Sequence, residues 1–146
     1  RYEANLAQAQ EFEAFASDAM SQSLLLVPGV YRSRQFQKKF GESLTRIEYK
    51  LDLKFRDTGN LYIETAETWH ENVCKRPAGI YHKSNPWLYV IGDFAEFWIF
   101  ATRCLQRAFE CKKYSFVQTP TSDGFLLPLD VADQVRAEKW TDPTDA

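Results

Sequence analysis

The stretch of sequence that decides the fold is RIEYKLDLKFR, residues 46–56. Its odd-numbered positions are all aliphatic or aromatic, and its even-numbered positions are all charged. Because successive side chains of a β-strand point to opposite faces of the sheet, this alternation predicts a strand with one apolar face and one charged face.

A second strand is predicted directly afterwards, in the run NLYIETAE at residues 60–67. Its odd positions 61 and 63 are apolar, and its even positions include Glu64 and Ala66. Between the two runs lies the tripeptide DTG, residues 57–59. A three-residue loop with glycine in the position that needs a positive φ is a common hairpin connection, so we expect an antiparallel hairpin here.

The two strands must pair with like faces on the same side, because a slip of one residue would bury the charges. The resulting register places Asp52 opposite Glu64 and Lys50 opposite Ala66. Two facing carboxylates repel unless a cation lies between them, and Mg²⁺ often takes one or two carboxylates together with substrate phosphate. A neighbouring lysine can orient or deprotonate water and stabilise developing negative charge. The charged face therefore predicts metal-assisted phosphodiester hydrolysis, with a solvated sheet face carrying a Lys50–Glu64 ion pair as the alternative.

These residues resemble the core of the PD-(D/E)XK, or restriction-endonuclease-like, nucleases: an aspartate, then about a dozen residues to Glu-x-Lys on the next strand. Asp52 and Glu64 fit this pattern, whereas Ala66 stands where the family has its lysine. In the predicted register Lys50 lies opposite Ala66 and supplies the displaced amine. The runs GNLYIETAE (59–67), GIY (79–81) and GFLLP (124–128) are also similar to small phage or bacterial nuclease-like proteins.

The resemblance covers roughly residues 32–130. It implies an α/β or α+β fold, with a central mixed sheet that contains an antiparallel hairpin and is flanked by helices. It also implies a DNA endonuclease that depends on Mg²⁺ or Mn²⁺. In that interpretation Asp52 and Glu64 bind the metal and Lys50 assists the water.

Further candidate residues lie around this core. Glu42, late in a predicted helix, is placed where family members often have another metal-linked acid, or it is a solvated helix residue. Glu48 shares the charged face with Lys50 and either pairs with it or extends the metal cluster. The residues predicted to contact DNA are Arg34, Gln35, Lys38, Lys39 and Lys83.

The charge of the chain is unevenly spread. Residues 32–56 contain eight Lys or Arg and three Asp or Glu, within a chain whose net charge is −2. The overall charge argues against a generic DNA-coating protein. The local excess indicates either a surface that faces phosphate or an ordinary solvated face.

Outside the hairpin, the pattern predicts helices at residues 2–21, 34–44, 102–112 and 131–138, strands at 87–91, 97–101, 114–118 and 125–129, and a loop at 68–80. A chain of 146 residues with this order of elements is expected to form one domain. We expect an N-terminal helical extension (1–30), a nuclease-like core (31–130) and a frayed tail (139–146). Trp69 and Tyr81 are candidates for base stacking, with a place in the core or in a dimer face as the alternative.

Composition also bears on location and partners. Three cysteines, an odd number, favour a reduced compartment, so we expect a cytoplasmic protein. No apolar run approaches the ~18 residues of a membrane helix. The expected partner is DNA of undetermined form, and a homodimer is expected by analogy with nucleases that cut duplexes. Two alternatives stay open: an inactive nuclease-fold module that binds DNA or a protein partner, which Ala66 favours, and a structural protein.

Overall fold

The computed structural model describes residues 2–23, 46–69 and 74–145. The helices and strands in this part of the chain are α1 (Tyr2–Ser23), β1 (Ile47–Leu51), α2 (Phe55–Thr58), β2 (Asn60–Trp69), β3 (Cys74–Pro77), β4 (Leu88–Gly92), β5 (Glu96–Ala101), α3 (Thr102–Glu110), β6 (Phe116–Gln118), β7 (Ser122–Pro128), α4 (Leu129–Val135) and β8 (Glu138–Thr141), with 3₁₀ turns at Gly79–Tyr81 and Pro143–Asp145.

The described strands form two four-stranded sheets. The first has the order β1-β4-β5-β8 and is mixed, because β1 runs parallel to β4 while the other neighbours are antiparallel. The second has the order β3-β2-β7-β6 and is antiparallel throughout. The predicted α/β or α+β class, with a mixed sheet and helices, is confirmed.

Helix α1 covers one face of the first sheet. Its residues Phe12, Ala16 and Met20 recur every four positions, lie on one side of the helix and are buried. They form a core with alternate residues of the sheet, which are Ile47, Leu88, Val90, Phe97 and Ile99. The helix predicted at residues 2–21 is therefore confirmed, and it packs against the sheet.

The other face of the first sheet contributes to a larger core that both sheets share. Tyr89, Ile91 and Trp98 alternate along β4 and β5 with the residues that face α1. They pack with apolar residues of the second sheet, namely Leu61, Ile63, Phe125 and Leu127. Strands β4 and β5 are thus apolar on both faces, and this common core sets the distance between the two sheets.

The predicted hairpin of residues 46–56 with residues 60–67 is wrong. Strand β1 ends at Leu51 and pairs with β4, whereas β2 pairs with β3 and β7. Glu64 lies opposite Gly124 in β7, and Ala66 lies opposite Pro77 in β3. The physical reason is that alternation specifies the two faces of a strand but carries no information about its neighbour.

Residues 55–58, predicted as the last two residues of a strand and the first two of a hairpin loop, form the short helix α2. Gly59 has the predicted positive φ, at 73°, but as the C-terminal cap of this helix and not in a hairpin loop. The strand stops earlier than predicted because the Asp52 side chain accepts a hydrogen bond from the backbone N–H of Lys54 (2.9 Å) and turns the chain.

The tail predicted to be frayed, residues 139–146, is also corrected. Strand β8 pairs with β5 and places Trp140 opposite Phe97, with the two rings stacked at 5.1 Å. Packing of the partly buried Trp140 ring on Phe97 keeps this short polar segment on the sheet.

The loop predicted at residues 68–80 contains a strand, β3, at Cys74–Pro77. The helix predicted at residues 34–44 lies outside the described residues. Cys74, Cys104 and Cys111 are not disulfide-bonded, and none of the described helices is long and apolar enough to cross a membrane.

Candidate functional site

The charged face of β1 lies where the two sheets meet. Glu48 and Lys50 stand beside Tyr89 and Ile91 of β4 in the parallel register, so they share the face that looks toward the common core. Because β1 is at the edge of its sheet, its polar side chains remain accessible from one side. The alternation of charged and apolar residues in β1 thus places its polar side chains at the edge of the apolar core.

Lys50 connects the two sheets. Its Nζ lies 2.8 Å from Glu64 Oε1 in β2 and 3.7 Å from Glu48 Oε1 on its own strand. The exposed fractions are 30% for the Lys50 side chain, 16% for Glu64 and 13% for Glu48. The three charges therefore interact with limited screening by water.

Opposing influences act on the pKa of Lys50. Burial of the amine is the largest and lowers the pKa, but the Glu64 carboxylate, by charge and by hydrogen bond, and the Glu48 carboxylate raise it by more in total. The pKa therefore lies above its ordinary value of 10.5. At neutral pH the group is an ammonium, which donates hydrogen bonds and carries positive charge.

Asp52 follows β1 directly and ties it to the second sheet. Its Oδ2 accepts a hydrogen bond from the backbone N–H of Tyr62 (3.0 Å), and its Oδ1 accepts one from Lys54 (2.9 Å). Its own backbone N–H donates to Gly92 O (2.9 Å) at the end of β4. The carboxylate is thus held in place by the main chain.

These side chains line one cleft of about 680 Å³. Lys50, Asp52, Tyr62 and Glu64 form one part of its wall. Asn5 and Gln8 of α1 and the turn at residues 119–122 form other parts. The cleft has room for a nucleotide-sized ligand beside the charged groups.

The backbone at Glu64 is positioned by two residues that sequence reasoning did not assign to the site. Tyr89 Oη accepts a hydrogen bond from the Glu64 N–H (3.4 Å), and Gly79, at φ 58°, lies so close that an added Cβ would be 2.1 Å from Glu64 O. Gly79 begins the run GIY at residues 79–81, so the sequence marks a glycine there but not its contact with Glu64. Tyr89 lies within a wholly apolar strand, and no feature of the sequence marks its hydroxyl group.

Glu48 lies beside the cleft and retains an unused acceptor. No donor among the described residues makes a hydrogen bond to its buried Oε2, and the nearest cation, Arg46 Nη2, is 3.6 Å away. A buried carboxylate oxygen without a hydrogen bond is costly, which favours a further cationic or donor group at this position.

The structure thus places Lys50 and Glu64 in contact and Asp52 on the wall of the same cleft, although through packing of two sheets and not through the predicted hairpin. Lys83 is exposed in the turn after Gly79–Tyr81 and is not part of the cleft wall. The remaining predicted site residues, Arg34, Gln35, Lys38, Lys39 and Glu42, lie outside the described residues.

The two aromatic candidates also lie away from the cleft wall. Trp69 is exposed and has the Arg76 guanidinium over its ring at 5.6 Å. Tyr81 packs against Phe109 at 5.8 Å. Their proximity in sequence to the predicted site does not place them in it.

The donor set suits a hard divalent cation. Asp52 and Glu64 offer carboxylate oxygens to one open cleft, and each oxygen keeps a lone pair besides the one used in its present hydrogen bond. In the part of the chain that the structure describes, no group of three or more His, Cys, Asp or Glu is arranged to hold a metal. Two carboxylates with substrate phosphate and water are nevertheless a common Mg²⁺ arrangement.

Comparison with protein-family models, curated proteins and solved structures finds no match to this chain.

Proposed function

We propose that the cleft hydrolyses phosphodiester bonds of DNA with the help of Mg²⁺ or Mn²⁺. The observation that carries this proposal is that the Lys50–Glu64 ion pair and the Asp52 carboxylate line one open cleft. The resemblance of Asp52 and Glu64 to the PD-(D/E)XK pattern points to the same chemistry.

In this proposal Asp52 and Glu64 hold the cation. When bound there, a divalent cation polarises the phosphate and lowers the pKa of water. Lys50, as an ammonium, donates a hydrogen bond to a phosphate oxygen and stabilises the negative charge that develops on it. Because its pKa is raised, Lys50 does not serve as the base that deprotonates water.

Glu48 has a positioning role in this proposal. Lys50 lies between Glu48 and Glu64, so Glu48 retains the ammonium when Glu64 turns toward a cation. The amine then stays at the wall of the cleft, at a distance set by β1.

The decisive experiment compares Glu64→Gln with Glu110→Gln. The amide oxygen of the glutamine introduced in Glu64→Gln still accepts a hydrogen bond from Lys50, so the fold is preserved while the negative charge is lost. Glu110, an exposed residue at the end of helix α3, is a matched control outside the cleft. Purified proteins are incubated with plasmid, duplex and single-stranded DNA in Mg²⁺ or Mn²⁺, and cation binding is measured by calorimetry.

We expect the wild type and Glu110→Gln to bind the cation and cut DNA, and Glu64→Gln to do neither. Lys50→Met should retain cation binding but cut about 10²–10³-fold more slowly, since it loses a charge that stabilises the transition state. If the wild type cuts none of the three DNA forms with either cation, the proposal is wrong.

A second candidate is a nuclease-fold module that binds DNA without cutting it. It is favoured by the existing pairing of Glu64 with Lys50, by the use of both Asp52 oxygens as backbone acceptors, and by Ala66. In this case DNA binding persists in EDTA and is unchanged in Glu64→Gln, and no DNA form is cut.

A further inference from the structure

The ring of Tyr62 lies against the neighbouring strand at Gly124. A Cβ atom at Gly124 would be only 2.6 Å from Tyr62 Cζ and 2.8 Å from Cε2. The ring therefore contacts β7 at a position that only glycine leaves open. The ring also lines the cleft, so part of it is presented there.

The ring is also fixed at its far end. Tyr62 Oη is 2.7 Å from Ser122 Oγ. A planar group held both at its ring and at its hydroxyl loses little conformational freedom when a ligand packs on it.

The position of the ring relative to the charged groups suits one nucleotide. Tyr62 and Glu64 are two residues apart on the same face of β2, which corresponds to about 7 Å. A phosphate held near Lys50 and Glu64 therefore has its own or an adjacent base within reach of Tyr62. Bases in a duplex are stacked on each other and cannot reach a flat group on a cleft wall unless they are extruded.

We propose that Tyr62 is a stacking platform for a DNA base and that the cleft takes single-stranded DNA. The choice of nucleic acid as the ligand rests on the proposed function. The stacking geometry rests on Gly124, Ser122 and the cleft wall. Stacking on an aromatic side chain accepts any base, so we expect weak sequence preference.

The experiment measures binding by fluorescence anisotropy, with EDTA and separately with Ca²⁺. The probes are a labelled oligothymidylate, a blunt duplex of equal length and an oligomer of abasic sugars. Wild type should bind the oligothymidylate more tightly than the duplex. It should also bind it at least about tenfold more tightly than the abasic oligomer, which has the same charge but no bases. This comparison needs no altered protein.

The variants Tyr62→Phe and Tyr62→Leu test the residue itself. Phe keeps the ring, so its binding should stay close to that of wild type, whereas Leu should bind about tenfold more weakly. Tyr81→Leu, a half-buried tyrosine outside the cleft, should bind as wild type. Circular dichroism shows whether each variant is folded.

Equal affinity for the oligothymidylate and the abasic oligomer, tighter binding of the duplex, or no binding of any probe overturns the proposal. These outcomes are separable from the nuclease test, because no cleavage is required. Base-dependent single-strand binding by a protein that cuts nothing supports the platform and contradicts only the nuclease.

Discussion

The Lys50 ammonium is the counterion of the Glu48 and Glu64 carboxylates. It lies between two carboxylates that are both mostly buried, so removal of the amine leaves negative charge without a counterion. Its contribution to stability is therefore electrostatic and depends on its protonation.

We expect Lys50→Met to lower the free energy of unfolding by about 1–3 kcal/mol at neutral pH, the cost of leaving a buried polar partner unsatisfied. A pKa raised in the folded state gives stabilisation that is complete below 10.5 and is lost as the pH rises through the folded pKa. Urea unfolding of both proteins across this range should show a constant difference that shrinks only in strong alkali. A difference that is already small in mildly alkaline buffer contradicts the assignment.

Gly79 and Gly59 form a matched pair of positions. Both have a positive φ, but a Cβ at Gly79 meets the Glu64 backbone, whereas a Cβ at Gly59 has open space. We expect Gly59→Ala to cost about 1 kcal/mol from backbone strain alone. Gly79→Ala should cost at least about 2–3 kcal/mol, because the backbone at Glu64 must also shift. Denaturant unfolding measures both values, and equal costs would show that close approach to Glu64 is unimportant.

The segment between β1 and β2 is held by the Asp52 carboxylate, which accepts hydrogen bonds from two backbone N–H groups. Asp52→Ala leaves the backbone N–H groups of Lys54 and Tyr62 without their acceptor, and we expect a loss of about 1–3 kcal/mol in stability. Asp52→Asn retains one acceptor oxygen and should lose less. Thermal unfolding separates the two variants. Loss of activity in Asp52→Ala therefore mixes loss of structure with loss of a cation ligand, which Glu64→Gln avoids.

Strand β8 is stabilised by Trp140, which stacks on Phe97 and also contacts Phe15 of α1 at 5.2 Å. Trp140→Ala should destabilise the protein by up to about 3 kcal/mol, less than the ~3–5 kcal/mol of a fully buried aromatic residue. It should also reduce hydrogen-exchange protection in α1. Trp87→Ala, at a residue that is 40% exposed, should change stability by less than about 0.5 kcal/mol. If Trp140→Ala and Trp87→Ala have the same stability and the same hydrogen-exchange protection in α1, β8 does not stabilise α1.

Local patterns allowed several of these elements to be predicted and others not. Helix α1 and strand β2 have periodicities that determine their type. Phe55 and Arg56, the first two residues of α2, continue the two-residue alternation of β1, and one helical turn is too short to show its own period. Strand β8 has a single aromatic anchor, the partly buried Trp140, whose packing partners only the tertiary structure supplies.

For the molecule as a whole, the residues of the candidate site could be selected from the sequence, but its construction could not. The unbroken charged face of residues 46–56 pointed to Lys50 and Asp52, and the next strand pointed to Glu64. Their place in one cleft depends on the packing of two sheets over one core, which no local pattern contains. The same holds for Tyr62, whose proposed role depends on a glycine that is distant in sequence.

A cation bound by Asp52 and Glu64 would join the first sheet to the second. Mn²⁺ at about 100 times its dissociation constant should therefore stabilise the folded protein by about 2.7 kcal/mol. Differential scanning calorimetry of the wild type should show a melting temperature that increases with Mn²⁺, and Glu64→Gln should show no increase. The same increase in both proteins would place the cation elsewhere.

Because the candidate site is divided between two sheets, it exists only when the two sheets are packed together. An emerging chain, or one damaged so that its layers have separated, cannot bring the amine of residue 50 to the acid of residue 64. If the cleft cleaves DNA as proposed, cleavage is then confined to molecules that have finished folding.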